Sequence, residues 1–261
     1  MINSCLYFFL RILEMPLSPL NELKKLLKDY NTSGVVPDLA RLQFCMEAVP
    51  REKSFPFIAN LRDRTTGKLM QRIAVRGDLE ILTCLLGVFT AEDRRALLMV
   101  LDNGCSAVSI AALEGHTETV KFMLNSFEPQ DRFKLLKLVD VGGKTPVYFA
   151  AYKHHTATLK CLLDMVHNSK QRCELLLQEH SEHFMYNNAI QMSIFNGDQM
   201  KFVLDSVEPK HQLDLVGNAL PIAEQNGNPH IINLLKQYRT NAMKNGFFEG
   251  LLNYKSFSQK L

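Results

Sequence analysis

A chain of 261 residues, 46% apolar and 22% charged, can bury a core at several places along its length, and this composition excludes wholesale disorder. The net charge of +3 is unevenly spread: positions 236–261 hold five Lys/Arg and one Glu, hence +4, which leaves −1 for everything before them. A body this close to neutral gives nucleic-acid binding little support from charge.

The first fifteen residues contain Cys5-Leu-Tyr-Phe-Phe-Leu10, a run too short to span a bilayer and with no basic residue before it. It is expected to be an apolar N-terminal helix, or sequence ahead of a start at Met15; a cleaved signal peptide is the alternative. Asn31-Thr-Ser33 matches a glycosylation sequon, which matters only in a secreted chain. From Ser18 the pattern predicts an amphipathic helix: Ser18 as N-cap, Pro19 at the first helical position, and Leu20, Leu23, Leu26 and Leu27 on one stripe. The stretch Asn31–Gly34 breaks it, and a second helix is expected over 37–48.

That second helix opens a periodic pattern. Gly104-Cys-Ser-Ala-Val-Ser-Ile-Ala-Ala112, Glu114-Gly-His116 and Val120-Lys-Phe-Met-Leu124 are followed by Gly143-Lys-Thr-Pro-Val-Tyr-Phe-Ala-Ala151, His154-His155 and Leu159-Lys-Cys-Leu-Leu163. Residue 124 maps onto 163, a period of 39, and its equivalents Met46, Leu86, Leu163 and Leu204 lie at steps of 40, 38, 39 and 41. A repeat of this size that opens on Gly-x-Thr-Pro and continues to Ala-Ala and Gly-His resembles the ankyrin repeat, whose period is about 33. The resemblance covers about residues 37–237 and implies an all-α helical repeat solenoid, flanked by an N-terminal helical segment (1–36) and a basic, aromatic tail (238–261).

The surplus of roughly six residues falls after the second helix, at Ala91 to Val100, Glu128 to Leu136 and Ser169 to Leu177. Thr90 with Asp93, and Pro129, look like start signals for a short added helix, with Leu135, Leu136 and Leu138 facing inward. A β-turn is then expected at Asp102–Gly104 and at Asp140–Gly143. Thr145 should cap the helix that Pro146 opens, and Ala-Ala at 111–112 and 150–151 permits close helix approach. Gly77, Gly115, Gly197 and Gly227 are expected to end first helices in a left-handed cap. His154 stands at that place, so it should be strained by about 1–2 kcal/mol or adopt another cap. The family's usual His after Thr-Pro is replaced by Gln71, Ser109, Tyr148, Gln191 and Pro221. Asp198–Phe202 lies two residues short before its leucine, and Ala219 to Leu235 is expected to be the terminal cap.

Among the six cysteines there is no C-x-x-C pair. Aligning the repeats places Cys45, Cys84 and Cys161 at one position that Phe122 and Phe202 fill elsewhere, so they are expected to be reduced, packed thiols in a reducing, cytoplasmic compartment. No P-loop, dinucleotide fingerprint, H-E-x-x-H or G-x-S-x-G is present, and the flanks are too short for a separate catalytic domain. The expectation is a non-enzyme without cofactor. His154, His155, His167, His180 and His183 are the strongest metal candidates, yet they lack thiol spacing, and surface histidines with no metal are expected.

What the resemblance implies for function is a protein-binding scaffold or adaptor, using its concave face and turn tips. Carried over position by position, the contact residues are Asn103, Cys105, Leu113 and Glu114 in one repeat, and Val141, Lys144, Tyr152 and Lys153 in the next, with Tyr152 as the preferred anchor. The alternative is an array that binds RNA or a small ligand with help from the tail, whose lysines are interleaved with Tyr238, Phe247, Phe248, Tyr254 and Phe257. Folding of those aromatics onto the last repeat is the preferred expectation for the tail, and no DNA partner is expected.

Overall fold

The computed structural model of the protein describes residues 18–63, 67–102, 104–179 and 187–258, with backbone alone at 63, 67 and 246–258. Sixteen helices are found among them: α1 Pro19–Ser33, α2 Leu39–Ala48, α3 Arg51–Asn60, α4 Leu69–Arg76, α5 Leu79–Gly87, α6 Ala91–Leu98, α7 Ala107–Glu114, α8 Thr117–Asn125, α9 Pro129–Leu136, α10 Pro146–Tyr152, α11 Thr156–Asp164, α12 Ser169–Leu177, α13 Ala189–Ser193, α14 Gly197–Asp205, α15 Pro209–Asn226 and α16 Pro229–Ser258. A two-rung hairpin, β1 (Arg62–Asp63) with β2 (Gly67–Lys68), stands where later repeats have a turn.

The helices stack in columns. First helices α4, α7, α10 and α13 pack in succession, and second helices α2, α5, α8, α11 and α14 pack alongside them. Each second helix buries the same i, i+3, i+4 triplet: Leu42/Cys45/Met46, Leu82/Leu85/Leu86, Val120/Met123/Leu124, Leu159/Leu162/Leu163 and Met200/Val203/Leu204. This register corrects the cysteine alignment. Cys45 belongs to the core triplet, one residue (about 100° of helix) away from the half-buried position of Cys84, Phe122, Cys161 and Phe202, which Phe44 occupies in the first unit. Burial pushes the Cys45 thiol up to about 11, which keeps it protonated and unreactive at neutral pH.

The added helices are α3, α6, α9 and α12, and a side chain ties each of the last two and α6 to the helix before it. Arg94 Nε donates to the Leu86 and Phe89 carbonyls, and Arg132 Nε to those of Leu124 and Phe127. Arg172 Nε donates to Val166 O, and its Nη1 reaches Ser206 O of the next repeat at 2.9 Å. Gln212 does the same at the Leu204 and Val207 carbonyls. The last carbonyls of a helix have no partner within it, so these side chains satisfy carbonyls at the C-terminal ends of α5, α8, α11 and α14. Thr90 Oγ1 accepts from Asp93 N as its spacing predicted, and Leu135 and Leu136 are buried with Leu138 half-buried against them.

The first helices α7, α10 and α13 start on a side-chain cap three residues ahead: Ser106 to Ser109 N, Thr145 to Tyr148 N and Asn188 to Gln191 N. Gly77, Gly115 and Gly227 end them at φ +68°, +80° and +71°. Gly197 does not. It opens α14, whose N-cap is Asn196, accepting from Gln199 N. The missing two residues therefore come out of α13, which is only five residues long, and the second helix keeps its length. His154 takes the left-handed conformation at φ 57° without a glycine's freedom.

The cap glycines also make room for the next repeat. A Cβ on Gly77 would lie 2.4 Å from His116 Nδ1, and one on Gly115 would lie 2.7 Å from His155 Nδ1. From that seat His116 Nε2 meets Val75 O at 3.0 Å and His155 Nε2 meets Leu113 O at 3.1 Å. A carbonyl only accepts, so each imidazole carries its proton on Nε2. Two hydroxyls and an amide continue the link: Thr119 Oγ1 to Gly77 O, Thr117 Oγ1 to Thr158 Oγ1 at 2.7 Å, and Gln199 Nε2 to Ala151 O at 3.2 Å.

Turn tips stack too. Asp102 and Cys105 exchange backbone hydrogen bonds, Asp140 Oδ1 accepts from Gly142 N and Lys144 N, and Gly104 lies against the Val141 backbone. At the C-terminal end no turn separates the added helix from the first helix that follows it. The residues equivalent to an added helix and those of the last first helix run together as α15, passing through Pro221. Proline clashes with the carbonyl four residues earlier, and that residue is Gly217. Asn218 substitutes for the turn carbonyls by accepting from Asn188 Nδ2 and Gln191 Nε2. The last helix, α16, continues through position 237 to Ser258, and Tyr238 donates to Asp205 of α14, so this aromatic does fold onto the array. The aromatic side chains from Phe247 onward lie outside the described residues.

Two stability outcomes follow from these contacts. Gly115→Ala, which forces an L-residue into the left-handed region and drives its Cβ into His155, should cost about 2–4 kcal/mol in urea unfolding, whereas His154→Gly should gain about 1 kcal/mol. The Arg51 guanidinium paired with Asp93 holds that carboxyl at about 2, below its ordinary 3.8. Because the folded-state value is depressed, this stabilisation is complete above about pH 4 and lost as pH falls toward 2; Arg51→Met should flatten the slope of stability over that window, read by urea melts at fixed pH values.

Candidate partner-binding face

The C-terminal ends of the first helices point their exposed side chains to one side of the array. Val75, Leu113 and Tyr152 each stand two residues before the left-handed cap at Gly77, Gly115 and His154, so they repeat in register along the first-helix column. Val75 is 45% exposed and Tyr152 is 49% exposed, with Leu113 half-buried between them. In the next repeat, where α13 is shortened, Phe195 is 49% exposed at the residue before the cap of α14. With helices spaced about 8–10 Å apart, Val75, Leu113 and Tyr152 line up as a stripe over about 16–20 Å, and Phe195 is a further exposed apolar side chain in the repeat beyond them.

Around Tyr152 the stripe gains charge and order. The Tyr148 and Tyr152 rings stack with centroids 6.0 Å apart and planes within 7°. Lys144 Nζ lies 5.9 Å from the Tyr148 centroid and Lys153 Nζ 5.5 Å from that of Tyr152. Each cation sits near a ring face, where the quadrupole attracts it. Helical spacing explains the pair: residues 148 and 152 are i, i+4 on α10. Tyr148 is buried, and that burial, with the neighbouring Tyr152 phenol second, raises its ionisation above the ordinary 10. The Tyr152 ring thus rests on a fixed platform.

The described contact residues among those expected divide into three groups. Lys144, Tyr152 and Lys153 are brought together through Tyr148. Leu113 and the exposed Glu114 lie one repeat away, beside His155. Cys105 and Val141 stand at adjacent turn tips; Val141 is 85% exposed, and Cys105 is half-buried by its backbone pairing with Asp102. Asn103 lies outside the described residues. Sequence reasoning missed Val75 and Phe195, and treated Tyr148 only as a replacement. The signal for Val75 was its distance from the cap glycine, shared with Leu113 and Tyr152. Phe195 carried no such signal, because its register shifts with the two residues missing from α13.

The histidine-rich stretch does not form a site among the described residues. His155 is committed to the Leu113 carbonyl, and His154 is the strained cap, while His180 and His183 lie outside the described residues. The described cysteines are free thiols. No described helix is long and apolar enough to cross a membrane.

Residues 69–172, from the first residue of α4 into α12, match the family model for ankyrin repeats, in three copies. A search of curated proteins found no match. The stacked helix pairs continue on both sides of the matched segment, through α2 on one side and α13 to α16 on the other.

The chain has no tryptophan. Tyr152→Trp therefore creates a single emitter that keeps a ring over Tyr148; its emission should lie between that of a solvated and a buried indole, and adding anything that docks on the stripe should shift it to the blue.

Proposed function

Because residues 69–172 of this chain are ankyrin repeats, we propose that it is a non-catalytic scaffold or adaptor that binds another protein along the first-helix stripe on the concave side of the array. The observation that carries the reading is the lysine-flanked tyrosine stack standing in register with Val75 and Leu113, with the exposed Phe195 in the next repeat. A partner segment suited to it presents apolar side chains at roughly helix-to-helix spacing and carboxylates opposite Lys144 and Lys153. Tyrosine offers contact area at low entropic cost, and the stack on Tyr148 lowers that cost further. The repeats themselves are ordered before the partner arrives, so little binding energy is lost to folding.

The test is recovery of a partner on the full chain from cell lysate, set against a Lys144→Ala, Tyr152→Ala, Lys153→Ala variant whose helical melt matches. One protein recovered in stoichiometric amount and weakened about tenfold or more by the variant is the expected result. Its binding should change little between low and physiological salt, since an apolar contact dominates. Recovery of nuclease-sensitive material whose binding falls steeply with salt would overturn the reading in favour of RNA.

A further inference from the structure

Away from that stripe, at the seam between α12 and α15, lie a thiol, an imidazole and a carboxylate. Cys173 Sγ, one ring nitrogen of His211 and one carboxylate oxygen of Asp214 all fall within 4.8 Å of one another. His211 and Asp214 are i, i+3 on α15 and so share a face, and Cys173 comes from the neighbouring added helix. We propose that these three side chains bind a single borderline-soft divalent cation, zinc above all, and thereby clamp the last two repeats together.

The donor set carries the proposal. Thiolate sulfur, imidazole nitrogen and carboxylate oxygen are the three ligand types that tetrahedral zinc takes, and a three-residue set leaves the fourth position to water. Zinc bond lengths bring tetrahedral ligands to about 3.3–3.7 Å from one another. The remaining closure is small and falls on the side chains free to make it, since His211 is half-buried and Asp214 exposed while Cys173 is held buried. On binding, the Cys173 S–H bond breaks, the sulfur pair goes to the metal and the proton leaves to solvent.

The repeat pattern sharpens this. Aligning the seams on Arg94, Arg132, Arg172 and Gln212 places Cys173 where the earlier added helices have Arg95 and Phe133. It places His211 and Asp214 where they have Asp131 with Lys134, and Gln171 with Glu174. Of these three seams, this one alone juxtaposes a thiol, an imidazole and a carboxylate. The other two carry residues that pack or pair, as Lys137 and Glu174 do.

Cobalt(II) titration of the reduced full chain tests it. Expected are about one equivalent bound, thiolate-to-cobalt charge transfer in the near ultraviolet, and the visible bands of tetrahedral cobalt, all displaced by zinc. Cys173→Ser should abolish the charge-transfer band while the other thiols remain. Because that variant alters a buried position, His211→Gln and Asp214→Asn, both on solvent-accessible side chains, provide the independent check: each should weaken binding by about tenfold or more with an unchanged melt in the absence of metal. Absence of the bands in the unaltered chain, or their persistence in Cys173→Ser, would overturn the site.

Discussion

The array depends on one steric exchange: a glycine that gives up its side chain at the end of a first helix leaves the volume that the following repeat's histidine fills. At Gly77 and Gly115 the left-handed turn and the vacancy are supplied by the same residue. With the imidazole seated, its Nε2 proton finds a carbonyl of the earlier repeat, and the threonine hydroxyls three residues on are brought within reach of their own partners. Registration between repeats is therefore set by directional contacts at one edge. The apolar triplets supply the bulk of the burial, and alone they would tolerate sliding.

Where this exchange is broken, the chain compensates locally. At the N-terminal end Asp78 stands in the histidine's place and is held by Tyr30 and Arg76, in a cluster that closes α1 onto the first full repeat. At His154 the glycine is missing, yet the backbone still turns left-handed, because the Ala150 and Ala151 carbonyls are already engaged by the following amides. In the following repeat, α13 is cut by two residues and Asn196 takes over as the cap. The exposed aromatic residues Tyr152 and Phe195 both sit beside these irregular joints, so the departures from regular packing and the candidate binding face coincide.

Much of the fold was legible because its signals are local. Pro19, Thr145-Pro146, Thr90 with Asp93 and Pro129 each mark a helix start by chemistry that acts within four residues, and each start lies where that chemistry put it. What escaped was non-local or register-dependent. The fusion into α15 turns on Asn218 reaching back to Asn188 and Gln191, a pairing no window of sequence displays. Cys45 was misaligned by one residue, a shift that rotates it from a half-buried edge into the core. The candidate face was half legible: position relative to the cap selects Leu113 and Tyr152, but the stacking that organises Lys144, Tyr148, Tyr152 and Lys153 emerges only when α10 is built.

The arginine in the first turn of α6, α9 and α12 has a consequence for how such an array can be recombined. Because Arg94, Arg132 and Arg172 each close the helix of their own repeat, and two of them extend into the next repeat, a unit cannot be shortened to the usual length by trimming its third helix. A graft of a shorter unit would leave bare carbonyls inside the seam on either side of it. The third helix thus acts as a plug for the helix before it rather than as an appendage.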